Sequence, residues 1–520
     1  MSVGSTRSGR SNASWVLDRN VEEGRGEKAA MIAEDRTLTY DGLRRAANRM
    51  GGLLRSLGAG REARVLMVLD DTSAFPVTFL GAMRVGAVPV PVSTLDKDDN
   101  FRHFVDDSYA EVVVAEAALI PRLRAVLGDC EVRFVSAGGE AEDAVELWRA
   151  LAEHDDELST IASHPDDVAF WLYSSGSTGA PKGVVHLHHD ISFTCECFAG
   201  QVLGIRESDV HFSTTKLQHA YGLGNGLTFP LHFGATSVLM SGPPKPEKIL
   251  TTLRRHRPSV YFSVPALYAL LARDPSADGA LESVRMCVSA AEALPPATFD
   301  RFKERFGLEI VDGIGSTEML HIFCSNRPDR IVRGSTGTPV PGYELRIVDP
   351  ADGRVLEGEA TGDLEARGDS CAAYYWHQHD KTKACMRGDW FTTGDRYRRD
   401  ADDVYWYEGR VDDMLKVGGL WVSPVDMEGT LMAHPSVLGV GVVGVTVQDQ
   451  TRVAAYVIRE PGGGSDEELA DELRDWCKQR LRRYEYPHLV HFVDELPRTV
   501  NGKVQRFRLR ELASSEPVGA

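Results

Sequence analysis

The sequence lacks the patterns that mark several common classes of protein. Its 8 cysteines form no C-x-x-C pair and no zinc-type spacing, so we expect neither a structural zinc site nor a disulfide framework. Reduced thiols in a cytoplasmic protein are the simplest interpretation. No apolar run approaches the roughly 20 residues of a membrane-spanning helix, and residues 1–10 lack the apolar core of a signal peptide. We therefore expect no membrane partner and a frayed polar tail at the start of the chain.

Positive charge is also scarce. The chain holds 58 Lys and Arg residues against 76 Asp and Glu residues, and the net charge of -18 argues against a nucleic-acid partner. There is no internal repeat, and no low-complexity segment beyond the N-terminal tail. The remaining composition is globular, with 42% hydrophobic and 26% charged residues. At 520 residues the chain is too long for one ordinary domain.

The order of apolar and polar residues predicts an α/β fold. Between about residues 15 and 310, short apolar segments such as 64–69 alternate with segments of helical periodicity, which predicts parallel sheets covered by helices. From residue 337 the segments become short, alternating and bounded by glycine, as in a small antiparallel barrel-like unit. The last part of the chain has the pattern of a compact α+β unit. We therefore predict a large N-terminal domain, 1–410, and a small mobile C-terminal domain, 411–520.

The most informative stretch is 173–183, with the sequence YSSGSTGAPKG. It lies between two apolar segments, 168–172 and 184–187, that are typical of strands. A Gly/Ser/Thr loop in that position can turn its amide and hydroxyl groups towards an anion, and Lys182 adds a positive charge, so the pattern favours a polyphosphate. Neither the Walker A motif nor the Rossmann fingerprint matches it. A flexible surface loop is the structural alternative.

The loop resembles the phosphate loop of the acyl-adenylate-forming (AMP-binding) enzymes, which include acyl- and aryl-CoA ligases, adenylation domains and luciferases. Four further motifs of that superfamily follow in its order: DGIGSTEM at 312–319, FTTGD at 391–395, YEGRVDDMLKVGG at 407–419 and LPRTVNGK at 496–503. One such motif is a weak signal, but five in the family's order are not explained by coincidence. The resemblance covers nearly the whole chain.

The resemblance implies ATP, Mg²⁺ and coenzyme A as cofactors and gives the residues of each motif a role. One group would cradle the ATP phosphates: Ser174, Ser175, Gly176, Ser177, Thr178, Gly179 and Lys182. In the second motif, Asp312, Ser316 and Thr317 would bind the nucleotide. Glu318 would hold Mg²⁺, which usually takes one or two carboxylates besides phosphate and water.

The later motifs imply the remaining roles. Asp395 and Arg410 would bind the ribose, since a carboxylate can accept from two adjacent hydroxyls. Lys503 would bridge the substrate carboxylate and the α-phosphate, and Asp412 would be the hinge of the small domain. Two glycines would let the backbone pass close to a pantetheine chain: Gly418 and Gly419. The residues assigned to catalysis are then Lys503, Glu318 and Thr178.

Within the family, two stretches look most like benzoate-CoA ligases: 216–225 and 316–323. By position, the residues that would line the acyl pocket are His219, Ala220, Tyr221, Gly313, Gly315, Leu320 and His321. The flat face of Tyr221 favours a ring over a long chain. Gln218 and His219 stand where benzoate ligases tend to carry aromatic residues, which leaves two interpretations open. Either His219 gates the carboxylate end and benzoate is accepted, which we favour, or a hydroxy- or aminobenzoate is preferred.

The sequence thus predicts an aryl-CoA ligase. Such an enzyme converts an aryl carboxylate and MgATP to aryl-AMP and pyrophosphate, and then transfers the aryl group to CoA with release of AMP. Loading of the aryl group onto the phosphopantetheine of an acyl carrier protein is the main alternative. A non-catalytic AMP-binding protein fits poorly with intact Glu318, Asp395 and Lys503, and a luciferase-like oxygenase is the third alternative.

Overall fold

The computed structural model describes residues 8–174, 180–417, 420–447, 450–460, 465–482, 484–498 and 504–515. The α-helices in these ranges are α1 (Val16–Glu22), α2 (Tyr40–Ser56), α3 (Ala74–Arg84), α4 (Asp98–Ser108), α5 (Ile120–Leu127), α6 (Leu147–Ala152), α7 (His188–Thr194), α8 (Ala220–Leu223), α9 (Phe229–Phe233), α10 (Pro246–His256), α11 (Pro265–Arg273), α12 (Pro296–Phe306), α13 (His379–Cys385), α14 (Pro424–Met432), α15 (Asp466–Arg480) and α16 (Arg506–Ser515). None of them combines the length and the apolar character that crossing a lipid bilayer requires, in the ranges given above.

The strands in the same ranges are β1 (Ala29–Ile32), β2 (Thr37–Thr39), β3 (Arg64–Val68), β4 (Val88–Pro91), β5 (Val112–Glu116), β6 (Arg133–Ala137), β7 (Ala144–Glu146), β8 (Val168–Ser174), β9 (Lys182–Leu187), β10 (Val210–Ser213), β11 (Thr236–Val238), β12 (Val260–Ser263), β13 (Met286–Ser289), β14 (Ile310–Gly315), β15 (Ile322–Ser325), β16 (Thr338–Pro339), β17 (Glu344–Val348), β18 (Val355–Leu356), β19 (Ala360–Arg367), β20 (Tyr374–Tyr375), β21 (Met386–Arg387), β22 (Trp390–Arg399), β23 (Tyr405–Arg410), β24 (Leu415–Val417), β25 (Leu420–Val422), β26 (Val437–Val447), β27 (Gln450–Arg459) and β28 (Leu489–Phe492).

A parallel sheet in the order β4-β3-β5-β6-β7 forms the first layer. Its central strands β3 and β5 have the sequences RVLMV and VVVAE, and nearly all of their residues are buried, as expected for parallel strands covered on both faces. Helix α2 buries Leu43, Met50 and Leu54 on one face, because residues at that spacing lie on the same side of a helix. The predicted alternation of strands and helices is confirmed here.

A larger sheet has the strand order β16-β15-β14-β13-β12-β10-β11-β1-β2. Strands β11, β10, β12, β13 and β14 run parallel to one another, and antiparallel pairing occurs towards its two ends, at β14-β15-β16 and at β1-β2. The loop after β14 carries residues 316–319 of the second motif. It leaves the parallel part of the sheet at the carboxyl ends of the strands, where ligands usually bind in α/β folds.

Antiparallel pairing dominates the middle of the chain. One sheet has the order β18-β17-β19-β22-β21, with β23 paired to β22, and all of these pairs are antiparallel. This confirms the antiparallel unit predicted from the short, glycine-bounded segments after residue 337. A separate antiparallel sheet, β20-β9-β8, carries both ends of the phosphate loop.

The C-terminal part is an α+β unit with a core of its own. It contains the hairpin β24-β25 and the sheet β26-β27-β28. Helices α14 and α15 pack on this sheet, and Val442, Val457 and Leu473 are among the fully buried residues between the layers. The α/β class with a C-terminal α+β unit is confirmed. The boundary at residue 410 and the mobility of the smaller domain stay predictions.

Candidate active site

The phosphate loop is carried by two antiparallel strands. β8 ends at Ser174 and β9 begins at Lys182, and these two residues are register partners, so the loop begins and ends at one edge of the sheet. The Ser174 hydroxyl oxygen is buried and has no hydrogen-bond partner among the described residues, which leaves a polar group for an anionic ligand. The residues predicted to lie between these ends are outside the described residues: Ser175, Gly176, Ser177, Thr178 and Gly179.

A buried ion pair joins the phosphate loop to the second motif. Lys182 Nζ donates to Glu318 Oε1 at 3.0 Å, and the Tyr375 hydroxyl donates to the same oxygen at 2.8 Å. Burial by itself would raise the pKa of Glu318, but the charge of Lys182 and the hydrogen bonds from Lys182 and Tyr375 outweigh burial and lower the pKa. Glu318 therefore offers an ionised carboxylate next to the phosphate loop.

A buried histidine holds the loop that carries Glu318. His186 Nε2 lies 2.8 Å from the carbonyl oxygen of Thr317, and Nδ1 lies 2.7 Å from Asp190 Oδ2. The ring therefore bridges the backbone of the loop that carries Glu318 and the side chain of Asp190. The Ser316 hydroxyl accepts from a backbone N–H three residues later, at 3.1 Å. Ser316 and Thr317 therefore lie beside Glu318, and these hydrogen bonds fix the loop that carries it.

Asp312 is a buried carboxyl group in β14. It is 6% exposed, and its Oδ1 atom has no hydrogen-bond partner among the described residues. Burial raises the pKa of this carboxyl group well above its usual range. In the same strand, a Cβ atom on Gly315 would lie 2.5 Å from the carbonyl oxygen of His321, and one on Gly313 would lie 2.8 Å from that of Cys324. Glycine is needed at both positions because β15 approaches so closely.

The two residues predicted to bind the ribose are brought together. Asp395 and Arg410 are register partners in the antiparallel pair β22-β23, and Arg410 Nη1 donates to Asp395 Oδ1 at 3.1 Å. Arg410 also donates to the carbonyl oxygen of Thr393 at 2.9 Å. The carboxylate and the guanidinium thus form one fixed polar pair that offers both acceptors and donors.

The predicted acyl pocket is centred on His321. Its Nε2 atom lies 3.3 Å from the carbonyl oxygen of Tyr221 and 3.2 Å from Asn225 Oδ1, and both of these are acceptors. Burial lowers the pKa of His321 to about 3, so the ring is neutral at physiological pH and carries its proton on Nε2. The Nδ1 lone pair is buried and has no partner among the described residues. Phe198 and Phe229 pack against the ring at centroid distances of 5.3 and 4.5 Å.

The other predicted pocket residues flank this histidine. Ala220 and Tyr221 open α8, and Ala220 and Leu320 belong to one buried cluster. His219 lies directly before α8; its Nε2 atom is buried and has no partner among the described residues, and burial lowers its pKa to about 4. Gln218 Oε1 is also buried without a partner in that part of the chain. In this region several buried polar atoms lack a hydrogen-bond partner among the described residues. Such atoms are expected where a bound ligand supplies the missing hydrogen bonds.

The predicted hinge lies in an exposed turn. Asp412 is in the 3₁₀ turn Val411–Asp413, directly after β23. The next residue, Asp413, forms ion pairs with Arg506 and Arg510 of α16, and Arg506 is also paired with Glu428 of α14 at 2.6 Å. The chain immediately after Asp412 is therefore fastened to the helix that follows residue 503. Three further predicted site residues lie outside the described residues: Gly418, Gly419 and Lys503.

The donor set fits Mg²⁺ only as an ion shared with the nucleotide. In the ranges that the structure describes there is no group of three or more His, Cys, Asp or Glu side chains that could hold a metal ion. Glu318 supplies one ionised carboxylate, and Mg²⁺ usually takes one or two carboxylates together with substrate phosphates and water. A Mg²⁺ ion that is also coordinated by ATP phosphates is compatible with this arrangement.

Comparison with known families agrees with this geometry. Residues 17–376 match the AMP-binding enzyme family, and residues 426–503 match the AMP-binding enzyme C-terminal domain. The chain belongs to the AMP-binding enzyme family. The resemblance stated from the five motifs is confirmed.

Relatives within the AMP-binding enzymes align over nearly the full chain. A benzoate–CoA ligase of Thauera aromatica is 44% identical over 501 residues, which cover 95% of this chain and 94% of that protein. A 4-hydroxybenzoate–CoA/benzoate–CoA ligase of Rhodopseudomonas palustris is 42% identical and covers 95% of this chain and 93% of that protein. The crystal structure of a benzoate CoA ligase from Burkholderia xenovorans LB400 is 41% identical and matches with a TM-score of 0.90, covering 96% of this chain and 99% of that one.

Three residues of the site were not predicted from the sequence. Tyr375 contacts Glu318, His186 contacts Thr317, and Asn225 contacts His321. The paired residues are 57, 131 and 96 positions apart, so no local motif connects them. The resemblance assigned roles to Glu318 and His321 but gave none to the residues that contact them.

Proposed function

We propose that this AMP-binding enzyme is an ATP-dependent aryl-CoA ligase. It is an AMP-forming acid–thiol ligase that uses ATP, Mg²⁺ and coenzyme A. One observation carries the proposal. Lys182 donates a hydrogen bond to Glu318 beside the phosphate loop, and His321, with its aromatic neighbours, lies in the same connection between β14 and β15 as Glu318. One oxygen of the aryl carboxylate attacks the α-phosphorus of ATP, giving aryl-AMP and pyrophosphate. The thiolate of CoA then attacks the acyl carbonyl carbon, and AMP leaves.

The residue assignments are part of this proposal. Lys182, with the hydroxyl-rich loop that includes Thr178, binds the ATP phosphates, and Glu318 is the protein ligand of Mg²⁺. Mg²⁺ would neutralise phosphate charge when it is bound. Asp395 and Arg410 bind the ribose; their ion pair at 3.1 Å supports a shared role.

Further residues of the second motif and of the hinge motif would bind the nucleotide and the thiol substrate. Asp312, Ser316 and Thr317 contact the nucleotide, and the buried Asp312 Oδ1 atom without a partner among the described residues supports this for Asp312. Gly418 and Gly419, which are outside the described residues, would be the contacts of the pantetheine chain. These assignments derive from the motif positions.

The domain assignment is also proposed. Residues 1–410 form the large domain and 411–520 the small one, with Asp412 as the pivot. Two features support this: Asp412 lies in an exposed turn, and Asp413 is paired with α16. A rotation about Asp412 would then carry α16, the helix that follows Lys503 in the chain. Lys503 stabilises the negative charge that develops as the carboxylate attacks the α-phosphorus.

Benzoate is the acid that we propose, with small ring-substituted benzoates accepted. Phe198 and Phe229 beside His321 suit a flat apolar ring. The neutral His321 leaves a buried lone pair on Nδ1, which could accept a hydrogen bond from a ring hydroxyl or amino group. The names of the relatives, benzoate–CoA ligase and 4-hydroxybenzoate–CoA/benzoate–CoA ligase, support both kinds of acid.

CoA is the thiol acceptor in this proposal, and a phosphopantetheine carrier protein is the second candidate. The two acceptors share the pantetheine arm, so the site near the acyl group would look the same for both. We also propose that the protein works in the cytoplasm, because all eight cysteines, at positions 130, 195, 197, 287, 324, 371, 385 and 477, are free thiols.

One assay tests the function. The purified enzyme is mixed with ATP, Mg²⁺ and a panel of acids (benzoate, hydroxybenzoates, aminobenzoates, cinnamate and hexanoate) with either CoA or a holo carrier protein, and the products are identified by mass. We expect aryl-CoA and AMP, with benzoate and its small derivatives within about two decades of kcat/KM. Faster turnover of hexanoate than of every benzoate would contradict the aryl assignment. Thioester only on the carrier protein would favour the second candidate.

A further inference from the structure

Tyr375 contacts both members of the Lys182–Glu318 ion pair. Its hydroxyl donates to Glu318 Oε1 at 2.8 Å, and Lys182 Nζ lies 3.9 Å from the centroid of its ring. Lys182 reaches the same Glu318 oxygen at 3.0 Å. Tyr375 is 2% exposed, so water does not compete for these contacts. None of the sequence motifs includes this tyrosine.

The backbone around Tyr375 is fixed to both sides of the site. Strand β20 pairs with β9 behind the phosphate loop, where Tyr375 is the register partner of Val184. The N–H of Ala372 donates to the backbone carbonyl of Glu318 at 2.7 Å, and the N–H of Tyr375 donates to the Thr382 hydroxyl at 3.0 Å. The tyrosine hydroxyl is therefore placed by backbone contacts that do not involve Lys182.

This arrangement creates a problem when ATP binds, in the function proposed above. Lys182 must turn from Glu318 to the phosphates, and an ionised carboxylate that is 8% exposed would lose its main partner. An unpaired buried charge is costly, so this loss opposes nucleotide binding. A donor that stays on the carboxylate reduces that cost. The Tyr375 hydroxyl is such a donor, because its position does not depend on Lys182.

We propose that Tyr375 is a positioning residue that keeps the Glu318 carboxylate hydrogen-bonded and oriented while Lys182 transfers to the phosphates of ATP. Once Lys182 has left, the Tyr375 hydroxyl remains on Oε1 of Glu318. The carboxylate thus has one permanent partner, Tyr375, and one exchangeable partner, Lys182. This inference rests on the proposed function, because it takes Lys182 as the phosphate ligand and Glu318 as the metal ligand.

The test compares ATP binding with and without the metal in Tyr375→Phe, which removes the hydroxyl and keeps the ring. Isothermal titration calorimetry gives the dissociation constant of ATP in excess Mg²⁺ and in EDTA. Without metal, Tyr375 is the partner that remains on Glu318, so Y375F should weaken ATP binding by about 10- to 100-fold, as expected for a hydrogen bond to a charged group. With Mg²⁺ the carboxylate has the metal as a second partner, so the loss should be clearly smaller.

Two further variants make the outcome decisive. Tyr374→Phe is the matched control, since Tyr374 is the neighbouring residue of β20, is 37% exposed and pairs with Val185; both of its dissociation constants should equal those of the wild type. Glu318→Gln removes the charge that retains Lys182. It should therefore tighten binding of metal-free ATP. In the double variant E318Q/Y375F, the dissociation constants of ATP with Mg²⁺ and in EDTA should equal those of E318Q alone.

Several results would overturn the proposal. Equal weakening by Y375F with and without Mg²⁺, or no weakening, would show that the hydroxyl does not serve Glu318 during the exchange. If circular dichroism shows that Y375F does not fold, the test rests on E318Q. If E318Q does not bind metal-free ATP more tightly than the wild type, the transfer of Lys182 from Glu318 to the phosphates is rejected. A wild-type enzyme that binds no ATP would instead contradict the proposed function itself.

Discussion

At the scale of single residues, two neutral histidines have different expected roles in choosing the acid. Burial lowers the pKa of His321 to about 3 and that of His219 to about 4, so neither ring offers a positive charge to a carboxylate at neutral pH. His321 is tied through Nε2 to Tyr221 and Asn225 and has its Nδ1 lone pair left over. Among the described residues nothing bonds to Nε2 of His219, which fits a side chain that can move as a gate.

We therefore expect His321→Leu to change the ranking of acids. The variant should lower kcat/KM for a hydroxy- or aminobenzoate about 10-fold more than for benzoate, which is the usual size of one lost hydrogen bond. His219→Leu is the matched variant, and it should lower kcat/KM by a similar factor for every acid in the panel. The measurement is kcat/KM for the acid panel with both variants. A uniform loss in His321→Leu would show that Nδ1 does not contact ring substituents.

At the scale of elements, the antiparallel pair β14-β15 depends on glycine. A Cβ atom on Gly315 would lie 2.5 Å from the carbonyl oxygen of His321, so alanine there forces the backbone of the pocket apart. We expect Gly315→Ala to destabilise the protein by about 1–3 kcal/mol, the usual range for overpacking, and to raise KM for the acid. Gly60→Ala is the control, because nothing lies within 4 Å of its added Cβ atom. Thermal unfolding and acid kinetics check both; equal melting temperatures for the two variants would contradict the expectation.

The same pair shows how far sequence reasoning extended. The glycines and Glu318 were found because they lie within the motif 312–319, and His321 because it lies in the overlapping stretch 316–323. Strands β8 and β9 were found because apolar runs flank the phosphate loop. The contacts that orient those groups come from elsewhere: Tyr375 from β20 and His186 from β9. Such contacts follow from the pairing of strands that are distant in sequence, as in Tyr375 opposite Val184. The local periodicity of the sequence does not show which strands pair.

At the scale of the whole molecule, the two half-reactions should depend on different features of the chain. In the proposed function, Lys503 would serve adenylation, and the thiol would approach only after the small domain had turned about Asp412. The pairing of Asp413 with Arg506 and Arg510 would couple that turn to α16, the helix that follows Lys503 in the chain. A loss of the lysine and a stiffened pivot should therefore impair opposite steps.

The crossed experiment uses Lys503→Ala and Asp412→Pro. We expect K503A to lose adenylation by about 10²- to 10³-fold, as for one lost contact to the transition state, and to retain most of its thioester formation from supplied aryl-AMP. D412P fixes φ at the pivot, so it should retain pyrophosphate exchange and lose aryl-CoA formation. Pyrophosphate exchange reports the first step and aryl-CoA yield from aryl-AMP the second. If K503A loses both steps equally, the assigned role of Lys503 in adenylation is wrong. If D412P forms aryl-CoA at the normal rate, Asp412 is not the pivot.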